Sequence, residues 1–272
     1  MIGVFDSGLG GLTVVKKIFE YLPDYQVVYF GDTARTPYGG RGPETIKKYA
    51  LEDLDILLRM GAQLIVVACN TASAVAFDEL IKKSPVPILE VITPAVEQAI
   101  KVTKNKKIGI LGTRATVNSG IYQRLIREKV SNISAQGGPA SGWKVFAQSA
   151  PLLVPFIEEG QLKSVELKRI IRKYLWSLKQ QQIDTLILGC THYPFVRNII
   201  KLKIGKHVNI VDPSTEIVLK LKKMIEEDPI LATKLIKGQN HKLYISDISG
   251  NFGNLSEKWL KINLPIEEIK VE

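Results

Sequence analysis

The fold is decided by the stretch Leu64-Ile65-Val66-Val67-Ala68-Cys69-Asn70-Thr71, which has a counterpart in Leu186-Ile187-Leu188-Gly189-Cys190-Thr191-His192. Each stretch is a short apolar run that ends at or just before a cysteine, and hydrogen-bonding side chains follow that cysteine. Short apolar runs of this kind predict strands that are buried on both faces of a parallel sheet. We therefore predict strands over residues 64–68 and 185–188.

A second pair of segments repeats this relation. Ile2-Gly3-Val4-Phe5-Asp6-Ser7-Gly8 resembles Ile108-Gly109-Ile110-Leu111-Gly112-Thr113, at a similar separation along the chain. Buried parallel strands look alike, so either pair alone favours duplication only slightly. Taken with the strand–helix alternation of the whole chain, the pairs predict an α/β fold of two similar parallel-sheet domains. Two related units that face each other would account for both pairs.

Further elements place the domain boundaries. Strands are also predicted over residues 2–5, 26–30 and 107–111, and helices over residues 42–60 and 163–179. The chain is expected to cross into the second domain near Val91-Ile92-Thr93-Pro94 and to return within residues 207–213. The first domain is therefore predicted to comprise residues 1–93 plus 208–272, with an added strand near 244–246. The second domain is predicted to comprise residues 94–207.

Composition narrows the class of protein. The chain has 272 residues, of which 45% are hydrophobic and 24% charged, as in a soluble globular protein. It shows neither an N-terminal signal nor an apolar stretch long enough to span a bilayer, so no membrane partner is expected. Two cysteines are too few for a secreted disulfide scaffold, which favours a cytoplasmic location.

The net charge of +10 leaves an anionic partner open. However, the chain contains no arginine-rich run, zinc finger or aromatic RNA-binding motif, so nucleic acid is not predicted as a partner. The surplus lysines are interpreted as solvated residues at helix ends and in loops.

Four polar clusters follow predicted strands. They are Asp6-Ser7-Gly8, the segment from Asp32 to Gly39, Cys69-Asn70-Thr71 and Cys190-Thr191-His192. Ligands of parallel sheets bind beyond the carboxyl ends of the strands, where helix N-termini attract anions. These clusters therefore predict a site for a substrate with carboxylates. The alternative for Asn70 and Thr71 is that they only cap a helix.

The two cysteines could be small buried core residues. Their equivalent positions favour chemistry instead, because a helix N-terminus lowers the pKa of a thiol and makes thiolate available. A thiolate and a thiol could then work as base and acid. Zinc is not predicted, since the chain has no close cysteine pair and only three histidines. A disulfide is disfavoured by the compartment.

Asp6 and His192 are further candidates. A carboxylate at the end of a buried strand has to be hydrogen-bonded or functional. His192 lies two residues beyond Cys190 and could orient the thiol or take its proton, although a histidine standing alone would be read as structural. Gly8-Leu9-Gly10-Gly11 resembles a phosphate-binding loop, but it lacks the spacing of one.

Six motifs occur in order along the chain: Phe5-Asp6-Ser7-Gly8-Leu9-Gly10-Gly11-Leu12-Thr13, Gly31-Asp32-Thr33-Ala34-Arg35-Thr36-Pro37-Tyr38-Gly39, Ala68-Cys69-Asn70-Thr71-Ala72-Ser73, Gly112-Thr113-Arg114-Ala115-Thr116, Pro151-Leu152-Leu153-Val154-Pro155 with Glu158-Glu159-Gly160, and Gly189-Cys190-Thr191-His192-Tyr193-Pro194. In these motifs the chain resembles the glutamate racemases of the aspartate/glutamate racemase family along essentially its whole length. One departure is Ala150, where relatives often have Cys or Thr.

The resemblance implies two α/β domains in a pseudo-twofold relation, with the active site between them. It also implies racemisation of L-glutamate to D-glutamate without a cofactor. One cysteine, as thiolate, would remove the α-proton, and the other, as thiol, would return a proton to the opposite face. Asp6 would assist Cys69, His192 would assist Cys190, and Asp32 and Glu158 would support the site. The positions that match substrate contacts in the family are Asp6, Ser7, Pro37, Tyr38, Gly39, Asn70, Thr71, Thr113, Thr116, Thr191 and His192.

The resemblance also implies a cellular role and leaves alternatives open. D-glutamate would supply peptidoglycan synthesis in a bacterial cytoplasm. The alternatives are an aspartate racemase and a non-catalytic binding role, such as the gyrase inhibition known for some glutamate racemases. Oligomeric state varies among relatives, so a homodimer is compatible with the sequence.

Overall fold

The structure is a computed structural model that describes residues 1–135, 141–248 and 252–271. The strands are β1 (Ile2–Asp6), β2 (Val27–Gly31), β3 (Leu64–Val67), β4 (Ile88–Glu90), β5 (Lys107–Gly112), β6 (Lys144–Ser149), β7 (Thr185–Gly189), β8 (Asn209–Val211), β9 (Lys242–Ile245) and β10 (Ile266–Glu268). They form a sheet in the order β10-β9-β2-β1-β3-β4 and a second sheet in the order β6-β5-β7-β8. Within these sheets every strand pair is parallel.

Helices alternate with the strands, as the sequence pattern predicts. They are α1 (Leu12–Tyr21), α2 (Pro43–Arg59), α3 (Asn70–Lys83), α4 (Ile92–Val102), α5 (Arg114–Asn118), α6 (Ile121–Ala135), α7 (Leu153–Glu158), α8 (Val165–Gln180), α9 (Arg197–Ile204), α10 (Pro213–Glu227), α11 (Pro229–Lys234) and α12 (Phe252–Leu260). Short 3-10 turns lie at Thr33–Arg35, Tyr38–Gly40 and Tyr193–Val196. No helix in the described part of the chain is long and apolar enough to cross a membrane.

The two sheets share one strand order. The run β2-β1-β3-β4 of the first sheet matches the run β6-β5-β7-β8 of the second, so that β1 corresponds to β5 and β3 to β7. The two segment pairs that decide the fold lie on these corresponding central strands. The prediction of two similar parallel-sheet α/β units is therefore confirmed, while β9 and β10 extend the first sheet alone.

Local signals set the helix ends. Pro43 occupies the first turn of α2, where its missing N–H costs no hydrogen bond. The side chain of Ser164 accepts a hydrogen bond from the N–H of Leu167 and caps α8. This cap places the start of α8 at Val165, two residues after the predicted start at residue 163.

The strand pairing corrects the predicted domain division in one place. After β4 ends at Glu90, α4 packs against α6 and β7 of the second unit. The chain returns only after β8, because Asn209–Val211 pairs with β7 as the outer strand of the second sheet. Residues 209–211 belong to the first domain in the predicted division, whereas their backbone hydrogen bonds place them in the second sheet. The division into domains otherwise stays a prediction.

Candidate active site

The carboxyl ends of the central strands of the two sheets meet. The hydroxyl of Thr191, after β7, donates to Oδ1 of Asp6, at the end of β1, over 3.1 Å. The hydroxyls of Thr71, after β3, and Thr113, after β5, lie 3.0 Å apart. Hydrogen bonds between the ends of four central strands therefore assemble one buried site from both sheets.

Glycines allow this close approach. A Cβ on Gly10 would overlap Oγ1 of Thr191 and lie 2.5 Å from Nδ1 of His192. A Cβ on Gly39 would lie 2.6 Å from Cβ of Thr113. Gly10 and Gly39 thus admit side chains from the second unit, and for Gly10 this is a packing role distinct from that of a phosphate-binding loop.

We expect Gly10→Ala to destabilise the folded protein by about 1–3 kcal/mol, the usual cost of overpacking a filled site, and to impair activity strongly. The added methyl group would push Thr191 and His192 away from the first sheet. Urea unfolding measures the first effect. Gly42→Ala is the matched control, because a Cβ there meets no atom within 4 Å. Equal stability of the two variants would contradict the packing described here.

Cys69 lies directly after β3 and caps α3. Its Sγ accepts a hydrogen bond from the N–H of Ala72 over 3.4 Å, and its thiol lies 3.6 Å from Oγ of Ser7. Asn70 and Thr71 are the first residues of the helix, so the alternative that they are its caps is wrong. Burial, and next the charge of Asp6, raise the pKa of Cys69 to about 12. The expected lowering by the helix N-terminus is therefore outweighed by desolvation, and Cys69 is a thiol at neutral pH.

Asp6 links the two halves of the site. Its carboxylate is buried and accepts hydrogen bonds from the N–H of Gly8, over 3.1 Å, and from Thr191. Burial raises the pKa of Asp6, while the charge of His192 and the hydrogen bonds from Gly8, Gly11 and Thr191 oppose that rise. The same carboxylate thus acts electrostatically on Cys69 of one half and on His192 of the other.

Cys190 has a different partner. Nδ1 of His192 lies 3.8 Å from its Sγ, and Nε2 of His192 lies 3.0 Å from Oε1 of Glu158. Burial lowers the pKa of His192, but its hydrogen bonds to Cys190 and Glu158 raise it well above the ordinary value. The imidazole therefore carries a proton between a sulfur and a carboxylate.

Hydroxyl and amide groups line another part of the site. Thr71, Thr113 and Thr116 form a cluster in which each hydroxyl lies within 3.4 Å of the other two. The side-chain oxygen of Asn70 accepts a hydrogen bond from the hydroxyl of Tyr122 on α6, over 2.7 Å. This contact leaves the Asn70 amide protons free for a ligand. Sequence analysis missed Tyr122, since nothing in its local pattern indicates a partner on the other sheet.

The segment from Asp32 to Gly39 has two parts. Gly39 packs against Thr113 in the site, whereas the side chains of Asp32 and Tyr38 point into a buried cluster with Arg35. Pro37 is exposed. Asp32 hydrogen-bonds to Arg35, Tyr38 and Ser246, and these contacts place its carboxylate in this cluster and not beside either cysteine.

Sequence analysis also missed Asp53, which lies in the same cluster. A signal was present, because Asp53 falls in helical phase with Ile46, Ala50 and Leu57 on the buried face of α2. Both cysteines are free thiols. Across residues 1–135, 141–248 and 252–271, no group of three or more His, Cys, Asp or Glu side chains is arranged to hold a metal ion.

Known proteins resemble the chain over nearly its whole length. A family model described as Asp/Glu/Hydantoin racemase matches residues 2–221. A glutamate racemase of Aquifex pyrophilus is 42% identical over 266 residues, which cover 98% of this chain and 96% of that protein.

Solved structures show the same similarity. A glutamate racemase isoform of Bacillus anthracis superposes with a TM-score of 0.91 at 32% identity, covering 100% of this chain and 97% of that one. A glutamate racemase of Francisella tularensis in complex with D-glutamate superposes with a TM-score of 0.87 at 33% identity, covering 99% and 97%.

Proposed function

This chain belongs to the Asp/Glu/Hydantoin racemase family, within its glutamate racemases, and we propose that it interconverts L- and D-glutamate by proton transfer between Cys69 and Cys190. The reaction needs no cofactor in this proposal. One observation carries it: the two cysteines follow corresponding strands of two facing sheets, and each has its own acid–base neighbour. A reaction that must act on both faces of one carbon atom calls for such a pair of groups.

The resting protonation states suggest how a turnover begins. Cys69 is a thiol, because burial raises its pKa to about 12, and it can donate a proton. His192, whose pKa is raised well above its ordinary value, lies 3.8 Å from the sulfur of Cys190 and is placed to exchange a proton with it. Cys190 would therefore remove the α-proton while Cys69 supplies one from the opposite face. The reverse reaction would exchange these roles.

The other side chains would stabilise the charge that develops on the substrate. Removing an α-proton from an amino acid builds negative charge on its carboxylate, so preorganised donors are needed. Thr71 lies in the first turn of α3, and Thr113 caps α5, so hydroxyl groups and free backbone amides converge there. Asn70, held by Tyr122, would add its amide protons. A buried site strengthens each of these interactions.

Asp6 and Glu158 would act on the groups that transfer protons. The buried carboxylate of Asp6 is suited to hold a substrate ammonium group and to accept a proton in exchange with Cys69. Glu158 would keep His192 protonated through its bond to Nε2. The product D-glutamate would serve peptidoglycan synthesis in a bacterial cytoplasm.

The deciding experiment incubates purified, reduced protein with L-glutamate in heavy water and without any added cofactor. We expect the circular dichroism of the amino acid to decay to zero while deuterium replaces the α-proton in the NMR spectrum. Racemisation without α-deuterium would exclude proton transfer. If glutamate stays unchanged and aspartate racemises, the substrate assignment is wrong. No reaction with either from a folded sample would support a binding role.

A further inference from the structure

A buried carboxylic acid lies behind the site without a role in the chemistry above. Asp53 is in the middle of α2, and its side chain is fully buried. Its Oδ2 lies 2.8 Å from the hydroxyl oxygen of Tyr38, and its Oδ1 lies 3.4 Å from Nη2 of Arg35. Tyr38 is the residue before Gly39, which packs against Thr113 in the site.

If every carboxyl group of this cluster is ionised, the cluster has too few donor hydrogen atoms to form all of its hydrogen bonds. The hydroxyl of Tyr38 lies within hydrogen-bonding distance of two carboxylates, Asp32 and Asp53. A phenol has one hydrogen and can donate to only one of them. To bond both, its oxygen must accept a hydrogen from the other carboxyl group, which is then protonated.

The remaining contacts identify the protonated group. Asp32 also accepts hydrogen bonds from Nε of Arg35, over 2.6 Å, and from the hydroxyl of Ser246, over 2.8 Å. With the hydroxyl of Tyr38, Asp32 has three hydrogen-bond donors, as suits an ionised carboxylate. Asp53 has only the long contact to Arg35, and Arg35 is shared with Asp32 and Glu52. A single guanidinium cannot neutralise three carboxylates at close range.

We propose that Asp53 is a neutral hydrogen-bond donor to Tyr38 and thereby a positioning residue for the Tyr38–Gly39 turn of the substrate site. This proposal rests on the proposed function, which makes the Tyr38–Gly39 turn part of the substrate site. Desolvation, followed by the charge of Asp32, raises the pKa of Asp53 well above its ordinary value, in agreement with the hydrogen count. The hydrogen bonds then run from Asp53 to Tyr38 and from Tyr38 to Asp32.

The chain of hydrogen bonds holds the turn from behind. The ring of Tyr38 is buried, and its hydroxyl is tied to α2 through Asp53 and to the end of β2 through Asp32. The backbone of Gly39 has little freedom against Thr113. Loss of the Asp53 contact would let the turn shift, which would weaken substrate binding more than the proton-transfer step.

Steady-state kinetics of three variants test this role. Asp53→Asn keeps a neutral donor of the same shape, so we expect its KM and kcat to stay within about threefold of the wild-type values. Asp53→Leu removes the donor and leaves the Tyr38 oxygen unsatisfied, so KM is expected to rise about tenfold or more with a smaller change in kcat. Asp55→Asn, on the same helix but in an exposed pair with Lys83, is the matched control.

The sign of a pH effect tests the protonation state independently of activity. Folded Asp53 is neutral, whereas in the unfolded chain it ionises above about pH 4, so the unfolded state binds fewer protons there. Wild-type stability is then lost progressively as pH rises from that value towards the raised pKa of the folded protein. We expect the melting temperature of Asp53→Asn, relative to wild type, to increase between about pH 5 and 8.

Other titratable groups face Asp53, but they are common to both proteins and cancel in this comparison. They are Asp32, Arg35, Tyr38 and Glu52, together with Tyr29 at longer range. A relative melting temperature that stays constant over the same range would show that Asp53 is ionised in the folded protein as well as in the unfolded chain, and would overturn the proposal. Infrared spectroscopy gives a second readout, namely a protonated carboxylic-acid band in wild type that Asp53→Asn lacks.

The outcomes separate this proposal from the proposed function. If wild type does not racemise glutamate, the proposed function fails, while the melting and infrared data still decide the protonation of Asp53. If wild type is active and Asp53→Asn loses activity as strongly as Asp53→Leu, the donor role fails. If Asp53→Leu does not fold, rescue of folding and activity by Asp53→Asn supports the proposal, and an inactive Asp53→Asn contradicts it.

Discussion

Replacing either Cys69 or Cys190 with serine is expected to lower the racemisation rate by at least about a thousandfold, within the range that positioned acid–base groups contribute. A serine hydroxyl is a far weaker acid than a thiol, so it can neither release a proton to a carbanion nor form the base in a buried site. Both cysteines are free and buried. Sγ of Cys69 accepts a hydrogen bond from the N–H of Ala72, and Sγ of Cys190 lies 3.8 Å from Nδ1 of His192.

The two serine variants should lose racemisation to a similar extent but differ in the enantiomer whose α-proton they still exchange with solvent. Each variant retains one thiol, which still faces one side of the α-carbon in the proposed mechanism. We therefore expect a single variant to exchange the α-proton of one enantiomer with heavy water while producing no inverted product. Circular dichroism measures inversion, and proton NMR measures exchange, for L- and D-glutamate separately. Unchanged melting temperatures would serve as the control for folding.

Full racemisation by either serine variant would overturn the assignment of two thiols. Exchange of both enantiomers at equal rates by one variant would point to a single base that reaches both faces. Loss of exchange by both variants, in folded proteins, would mean that neither cysteine can act without the other.

The second large effect concerns the neighbours of the cysteines, Asp6 and His192. We expect Asp6→Asn and His192→Asn each to slow proton transfer by about a hundredfold or more, but in opposite directions of the reaction. Asp6→Asn keeps an oxygen that can accept the hydrogen bond from Thr191, so it removes the charge that acts on Cys69 with little change in shape. His192→Asn removes the proton held beside Cys190.

Steady-state constants alone cannot reveal this difference. The equilibrium constant of racemisation is one, so the ratio of kcat/KM in the two directions is the same for every variant. The measurement is therefore the pre-steady-state rate of α-proton abstraction from L- and from D-glutamate. Identical losses for both enantiomers in both variants would contradict the pairing of Asp6 with Cys69 and of His192 with Cys190. Asp24→Asn and His207→Asn, at exposed positions, are the matched controls.

Much of the fold could be predicted from local patterns. The runs at residues 64–68 and 185–188 predicted β3 and β7, because strands buried on both faces need unbroken apolar sequence. The same patterns placed both cysteines at strand ends and predicted the duplicated unit. Strand β6 (Lys144–Ser149) was not predicted, since it lies at a sheet edge and its side chains are only partly buried.

The polar clusters were predicted as a group, but their contacts were not. Thr191 and Asp6 are 185 residues apart in the chain, and Tyr122 and Asn70 are 52 apart. Such pairs leave no trace in local periodicity, because a hydrogen bond between facing sheets depends on how the sheets are placed. The glycines were visible in the sequence, yet their role depends on the side chains that the facing sheet brings against them.

The sequence by itself determined the α/β class, the two related units, and the strand ends that carry Cys69 and Cys190, because periodicity and motif order are local properties. Only the tertiary structure decided that β8 belongs to the second sheet, that Asp32 lies in a cluster with Asp53, and that Cys69 is a thiol. Strand partners and protonation states depend on burial and on charges from distant parts of the chain. Burial raises the pKa of Cys69, where the helix N-terminus alone would have lowered it.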